Sequence, residues 1–131
     1  MTICVRLGII IFILMAGLNA GKGDSLYKPI KSYLSKYRQT IRNDDINIQN
    51  GIIRIEINGR RTNIKSQLLL GFFSVGRALQ RTNTTCREVQ VIIHYELKMG
   101  RQVFAKAPVN KVMELTQGRL SPDQFFMIIE I

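Results

Sequence analysis

Apolar residues recur at helical spacing in two long segments of the chain. The first runs from Lys28 to Arg42, where apolar residues stand three and four positions apart, as on one face of an α-helix. The second runs from about Thr62 to Thr82, and its large apolar residues form a stripe wide enough to face a core. Beside that stripe lie the small residues Gly71, Ser74 and Ala78, which would let the helix approach a neighbour closely. The pattern therefore predicts a first helix and a longer central helix.

Between the two helical segments, apolar and polar residues alternate in a way that predicts a β-hairpin. Asn50-Gly51 is the dipeptide that a two-residue type I′ turn prefers, because both residues tolerate positive φ. Pairing Gln49 with Ile52 across this turn places Ile46, Ile48, Ile53 and Ile55 on one face. The polar residues on the other face are then Asn47, Arg54 and Glu56.

A second hairpin is predicted after the central helix. The segment from Val89 to Leu97 alternates again, and Lys98-Met99-Gly100 suits a three-residue loop with its glycine in the left-handed conformation. Leu97 would then pair with Arg101. The pairs expected on one face are His94 with Phe104 and Ile92 with Lys106.

The end of the chain predicts one or two short helices. After Pro108, apolar residues at helical spacing indicate a helix that Gly118 can end. Ser121 and Gln124 stand at capping-box spacing with Pro122 at the first helical position, which predicts another helix. The last residues of the chain would equally suit a final strand.

Together these elements predict an α+β fold in the order helix, hairpin, helix, hairpin and one or two short helices. The expected architecture has two layers, with a four-stranded, mainly antiparallel sheet made of two hairpins and helices packed on one face. No repeat or long linker divides the chain, so we expect residues 21–131 to form a single domain. The order helix, hairpin, helix and strand over residues 28–97 resembles that of BON domains of the bacterial envelope, which implies a similar topology there. The second hairpin and the tail depart from that order.

Residues 1–20 have the pattern of a cleavable export signal. Arg6 precedes an apolar run from Leu7 to Met15, and small and polar residues lead to an expected cleavage after Ala20. The run is shorter than the about 20 residues that cross a bilayer, although an uncleaved anchor is the alternative. We therefore expect the mature domain to be exported, either to the periplasm or out of the cell.

The chain is strongly basic, with nineteen Lys and Arg against nine Asp and Glu and a net charge of +10. Removing residues 1–20 takes away one base and no acid, which leaves eighteen against nine, or +9. Such an excess attracts anionic groups through long-range steering and counterion release. The basic residues expected on one face of the first helix are Lys28, Lys31, Arg38 and Arg42. Others that could form basic patches are Arg60, Arg61, Arg77, Arg81 and Arg87.

The outer face of the sheet is a second candidate binding surface. Its expected residues mix apolar and basic side chains: Ile52, Arg54, Ile92, His94, Phe104 and Lys106. Clustered exposed apolar residues usually mark an interaction site, so we expect a partner protein or the tail helix to cover this face. A solvated face is the plainer alternative. Nucleic acid is a poor fit there, because one aromatic ring is a weak platform for stacking bases.

Few residues fit catalytic chemistry. His94 is the only histidine, and Cys86 lies about 26 Å from it if both are on one extended strand at about 3.3 Å per residue. A dyad of His94 with Glu96 therefore remains as the catalytic alternative. Asp44-Asp45 is the only adjacent acid pair and is typical of a turn. No metal-ligand spacing and no nucleotide-binding glycine loop is present, so we expect no cofactor and no metal.

Without residues 1–20, Cys86 is the only cysteine, because Cys4 is removed with them. Such a thiol is either buried and inert or available for an intermolecular disulfide.

These patterns predict an exported, non-catalytic binding or assembly component of a bacterial cell envelope, acting through the basic first helix and the open sheet face. The expected partners are an envelope protein, an anionic envelope polymer or lipid head groups. One alternative is a small secreted hydrolase that uses His94 and Glu96. The other is a basic nucleic-acid-binding domain, in case residues 1–20 are not a signal.

Overall fold

The structure is a computed structural model that describes residues 25–96 and 100–131. The predicted export signal over residues 1–20, with Cys4, lies outside the described residues. Within the described ranges the chain forms four α-helices and four strands. The helices are α1 over residues 25–35, α2 Ile64–Thr82, α3 Val109–Thr116 and α4 Pro122–Ile128. The strands are β1 Ile46–Gln49, β2 Ile52–Asn58, β3 Glu88–Glu96 and β4 Arg101–Pro108.

The strands form one mixed sheet in the order β1-β2-β3-β4. The outer pairs, β1–β2 and β3–β4, are antiparallel, whereas the central pair β2–β3 is parallel. The fold is therefore α+β, but the expectation of a mainly antiparallel sheet is wrong. The reason is the length of α2. Its 19 residues, at about 1.5 Å each, return the chain past the 7 residues of β2, so that β3 starts beside the beginning of β2.

The first hairpin has the predicted register, with Gln49 opposite Ile52. Asn50 and Gly51 both have positive φ, at 54° and 77°, as a type I′ turn requires. Because turn chemistry and side-chain alternation agree, this hairpin was fully specified by local sequence.

The second hairpin differs from its predicted register by two residues. A register shift between His94 and Glu96 leaves Tyr95 as the extra residue of a bulge, and Glu96 pairs with Arg101. Glu96 and Arg101 are separated by four residues in the sequence, whereas the predicted pair of Leu97 and Arg101 is separated by three; Gly100 has the expected positive φ of 66°. The outer-face pairs are Ile92 with Phe104, His94 with Gln102 and Gln90 with Lys106. A shift of two residues keeps each side chain on its predicted face.

Helix α1 ends earlier than the apolar spacing predicts. Arg38 adopts φ 62°, and the backbone N–H of Gln39 donates to the carbonyl oxygen of Leu34 at 3.0 Å. A left-handed residue with such a back-reaching hydrogen bond closes a helix. Arg38 and Arg42 therefore lie beyond α1, and the expected basic stripe is reduced on the helix itself to Lys28 and Lys31.

The core lies between the helices and one face of the sheet. Its strand residues are Ile53, Ile55, Ile57, Val89, Val91, Ile93, Ala105 and Ala107, and its main helical residues are Leu26, Ile30, Leu34, Leu68, Phe72, Val75 and Leu79. Gly71 allows α2 to lie close to the sheet, because a Cβ there would be 2.7 Å from Cγ1 of Val91. Ser74 and Ala78 are also buried, as the small-residue line predicts.

A buried glutamine fixes the corner between β2 and α2. Gln67 Oε1 accepts a hydrogen bond from the backbone N–H of Arg60 at 3.1 Å, and Gln67 Nε2 donates to the carbonyl of Arg60 at 3.3 Å. Gly59 leaves room for this amide, since a Cβ on it would overlap the Gln67 side chain. The Gln67 side chain thus provides hydrogen-bond partners for the backbone N–H and carbonyl oxygen of Arg60, which do not pair with a strand.

The end of the chain forms a helix, α4, and not the alternative strand. Ser121 and Gln124 form the predicted capping box, with hydrogen bonds of 3.2 Å and 2.9 Å. Phe125 packs edge-on against Phe72 of α2, with ring centroids 5.0 Å apart. The tail helix therefore belongs to the helical layer, and the expectation that it covers the outer sheet face is wrong. Beyond the helix, the backbone of Glu130 forms a β-bridge with Lys106.

Candidate functional site

The structure divides the predicted binding residues between two regions. Lys28 and Lys31 lie on α1 in the helical layer, and Arg38 and Arg42 lie between α1 and β1. The remaining residues share the open face of the sheet: Arg54, Ile92, His94, Phe104 and Lys106. The helical layer and the open face are therefore separate candidate surfaces, on opposite sides of the sheet.

On the open face, the charged side chains already have partners within the chain. Arg54 Nε donates to Gln90 Oε1 at 2.9 Å, and its guanidinium carbon lies 5.9 Å from the centre of the Phe104 ring. Gln90 Nε2 in turn donates to Glu88 Oε2 at 2.6 Å. Lys106 Nζ lies 3.3 Å from a carboxylate oxygen of Glu130. This face is thus a network of satisfied polar groups.

The apolar part of the open face is covered by its own neighbours. Ile92 is only 6% exposed, with Glu56 opposite it on one side and Phe104 on the other. Phe104 is itself half-buried. The expected cluster of exposed apolar residues is therefore absent from this described part of the sheet surface.

His94 pairs with Glu56, a residue that the sequence did not assign to it. The Nε2 atom of His94 is 2.6 Å from Oε1 of Glu56 on the adjacent parallel strand, whereas the predicted pairing was with Glu96. The side chain of Glu96 lies outside the described part. The alternation of β2 placed Glu56 on this face, but only the long-range β2–β3 pairing brings it to His94. Among the described residues of this face there is no hydroxyl or thiol that His94 could activate.

Cys86 is half-buried beside a cavity of about 470 Å³ between the end of α2 and α3. Burial raises the pKa of the Cys86 thiol to about 11, with an opposing contribution from a backbone hydrogen bond at Glu88. The group is therefore a protonated thiol near neutral pH and a weak nucleophile.

A cationic cavity of about 200 Å³ lies between α1 and α2. Its lining residues are Pro29, Ser32, Tyr33, Lys36, Arg77, Gln80 and Arg81. Arg77 and Arg81 were recognised in the sequence as possible patch residues, but Lys36 was not. Lys36 follows the end of α1, and its contribution depends on how the two helices pack.

The two sequence segments that form the cationic cavity contain no acidic residue. Residues 25–43 and 57–87 have no Asp and no Glu, so α1 and α2 carry bases without acids. Within the described residues, no carboxylate pairs with Lys36, Arg77 or Arg81. The cavity therefore combines three cations with no internal counter-charge from the described chain.

Tyr33 supplies a neutral hydroxyl to the cationic cavity. Burial raises the pKa of Tyr33, and a hydrogen bond and the nearby charge of Tyr37 act in the same direction. The positive charge of Arg77, which lines the same cavity, acts in the opposite direction and lowers the pKa of Tyr33. Tyr33 therefore remains a hydrogen-bond donor at neutral pH.

Beside the cationic cavity lies a larger groove of about 440 Å³, and Tyr33 lines both. Besides Tyr33, the groove is lined by the apolar and aromatic residues Tyr37, Leu69, Leu70 and Phe73 and by the polar residues Gln39, Asn63, Ser66 and Gln67.

The described residues contain neither a metal-binding cluster nor a helix suited to cross a membrane. No group of three or more His, Cys, Asp or Glu side chains there lies close enough to hold a metal ion. None of the helices in that part of the chain combines the length and the apolar character that a bilayer crossing needs.

In comparisons with known proteins, the chain matches no protein-family model, no curated protein and no solved structure.

Proposed function

We propose that this protein is an exported, non-catalytic binding or assembly component of the bacterial cell envelope that binds anionic groups through the surface of α1 and α2. The observation that carries the proposal is the separation of charge, because both helices have basic side chains and no acidic ones. An acid-free basic surface attracts anions over a longer distance than a surface of mixed charge does.

The helical surface suits this role better than the open sheet face. A ligand of Arg54 would compete with Gln90 and Phe104, which already contact its guanidinium. The cations of the helical surface have no described carboxylate partner to give up. Lys31 and Lys65 lie 5.6 Å and 5.7 Å from the rings of Tyr27 and Phe126, so an anion there competes with a cation–π contact at most and breaks no described ion pair.

The partners that fit are the anionic polymers and lipid head groups of the envelope, or an acidic envelope protein. Polymers and lipid surfaces present many anions side by side. They can therefore neutralise cations spread over two helices at once and release several counterions.

Binding is tested by sedimenting the purified protein with phosphatidylglycerol vesicles, with phosphatidylcholine vesicles as the neutral control, and by titration with dextran sulfate. We expect binding to the anionic vesicles or to dextran sulfate that weakens as NaCl is raised. Lys31→Glu should weaken binding more than Arg119→Glu, which makes the same charge change in the exposed segment between α3 and α4. Absence of binding to both anionic ligands, or equal losses in the two variants, would overturn the proposal.

Export is tested by the intact mass and the cell fraction of the protein expressed in bacteria. A mass that starts near Gly21 in the exported fraction is expected. Retention of Met1 in the membrane would indicate an anchored domain instead. Retention of Met1 in the cytoplasm would contradict export and favour nucleic acid as the anionic partner.

A further inference from the structure

We infer that the cationic cavity between α1 and α2 is a specific site for a phosphate monoester group. This inference rests on the proposed function, since it names the ligand chemistry of one place on the same surface. The cavity presents Arg77 and Arg81 from α2 and Lys36 from the end of α1.

The positions of the three cations are unfavourable for the free protein. Arg77 and Arg81 stand four residues apart on one helix, where like charges repel each other. Arg81 lies in the last turn of α2, where the helix dipole favours a cation, but Arg77 lies one turn earlier and has no such compensation. Lys36 adds a third positive charge from the opposite wall. A local arrangement that costs stability without an internal partner is typical of a functional site.

The donors of the cavity match the oxygen atoms of a phosphate. Guanidinium groups bind phosphate oxygens through paired N–H donors, and an ammonium adds a point charge. Ser32, Tyr33 and Gln80 supply neutral donors around the cations. Sites for drug-sized ligands usually have volumes of about 300–1,000 Å³. The volume of this cavity is smaller, about 200 Å³, so the cavity suits a small anionic group.

Three cations favour a dianion over a monoanion. A phosphate monoester carries two negative charges above its second pKa of about 6, whereas a phosphodiester carries one. The titratable groups that line the cavity are Tyr33, Lys36, Arg77 and Arg81. No histidine is among them, and histidine is the side chain that ordinarily changes charge between pH 5 and pH 8. The raised pKa of Tyr33 keeps that hydroxyl neutral as well. Any pH dependence of binding in that interval must therefore come from the ligand.

The probe for the test is glycerol 3-phosphate, titrated calorimetrically into the purified protein, with sulfate as a dianion that does not titrate. We expect the affinity for glycerol 3-phosphate to rise about tenfold from pH 5 to pH 7.5, following its second ionisation near pH 6. The affinity for sulfate should stay constant over the same interval. A flat profile for glycerol 3-phosphate would overturn the assignment of a dianion site.

The location of the site is tested with Arg77→Gln, which removes one cavity cation and keeps a residue that favours helix. We expect at least about a tenfold loss of affinity for glycerol 3-phosphate, because a charge-assisted hydrogen bond is lost. Arg119→Gln removes the same charge outside the cavity and should change affinity less than about twofold. Equal effects of the two variants would mean that only net charge is sensed, and the cavity would not be the site. Circular dichroism and thermal melting of both variants verify that the fold is retained.

A third experiment distinguishes a free phosphate monoester from one carried by a lipid. Its outcomes also show whether a failure concerns this inference alone or the proposed function as well. Vesicles that contain phosphatidic acid present the same group on a lipid surface. Loss of binding in Arg77→Gln with either the free or the vesicle-borne monoester supports the site and identifies its source. If the protein binds dextran sulfate or phosphatidylglycerol but neither monoester, the inference fails and the proposed function stands. If it binds none of these ligands, both fail.

Discussion

Single side chains determine how closely α2 approaches the sheet. Gly71 lies against Val91, whose branched Cβ restricts it to few rotamers, so the valine cannot easily move away from an added methyl group. A similar restriction applies at the corner before α2. There the amide of Gln67 fills the space that a Cβ on residue 59 would occupy, so this position requires glycine. The contact of Gly71 explains why a glycine occurs inside a helix that would otherwise be more stable with alanine.

Gly71→Ala should therefore destabilise the protein, although alanine favours a helix by about 1 kcal/mol over glycine. The new Cβ would lie 2.7 Å from Cγ1 of Val91, and overpacking of this kind costs about 1–3 kcal/mol. Urea unfolding of Gly71→Ala, Val91→Ala and the double variant measures the effect. Val91→Ala should reverse part of the loss in the double variant. Strictly additive free energies of unfolding would contradict a direct contact.

His94→Ala distinguishes a binding protein from the hydrolase alternative. The pair of His94 with Glu56 lies on the open face, on the other side of the sheet from α1 and α2. We expect the affinity for anionic vesicles and for dextran sulfate to change less than about twofold, since removal of a partly exposed pair acts locally. Conversely, a hydrolytic activity that disappears in this variant while the fold is retained would favour the enzyme.

At the scale of helices and strands, the features that depend on residues close together in the sequence could be predicted. The first hairpin was predicted in full because Asn50-Gly51 sets both the turn and the register, and the capping box at Ser121 set the start of α4. The parallel pairing of β2 with β3 was missed, because it arises from the path of α2 and not from either strand. The bulge at Tyr95 was also missed, since alternation alone permits shifts of two residues.

The candidate site was predictable only in part for the same reason. Arg77 and Arg81 were recognised from their positions near the end of the central helix, but the cavity also needs Lys36, which lies in the turn between the end of α1 and the left-handed Arg38. The extension of α1 to Arg42 was wrong because apolar spacing continues after the helix ends. Of the signals in that segment, none marks Arg38 as a left-handed residue, since arginine rarely adopts positive φ.

Arg38→Gly should stabilise the end of α1. The left-handed conformation costs a residue with a Cβ about 1–2 kcal/mol, and the greater flexibility of glycine in the unfolded chain offsets only part of that gain. We expect a net increase of about 0.5–1 kcal/mol in the free energy of unfolding, measured in urea. Ser32→Gly, at an exposed position inside the helix, is the control and should lower it by about 0.5 kcal/mol. A loss of stability in Arg38→Gly would show that the arginine side chain contributes a contact that outweighs its strain.

At the scale of the whole molecule, charge is divided between layers. The helices α1 and α2 are purely basic, while the sheet carries acids and bases that pair with each other, such as Arg54 through Gln90 to Glu88. The basic side chains of α1 and α2 therefore mainly repel one another on the helical side of the molecule. Dissolved ions screen repulsion of this kind, most strongly between exposed charges that are more than about 10 Å apart at 0.1 M salt.

Moderate salt should consequently stabilise the protein. Between 10 and 200 mM NaCl we expect the thermal midpoint to rise by about 4 °C, which corresponds to about 1 kcal/mol for a domain of this size. The doubly substituted Arg77→Gln/Arg81→Gln protein should melt at a higher temperature at low salt and respond less to added salt. A midpoint that falls with salt would show that attractive ion pairs dominate the electrostatic free energy.

The parallel pairing at the centre of the sheet also sets the order in which the domain folds. Each hairpin joins residues that are close along the chain, whereas Ile52 meets Glu88 only after the whole of α2 has been closed into a loop. We therefore expect the two hairpins to form as early, separate units. Closure of the loop that contains α2 is then the rate-limiting event, and most contacts of the β2–β3 seam form after it. Substitutions in the seam would then accelerate unfolding more than they slow folding, and those in the first hairpin would do the opposite.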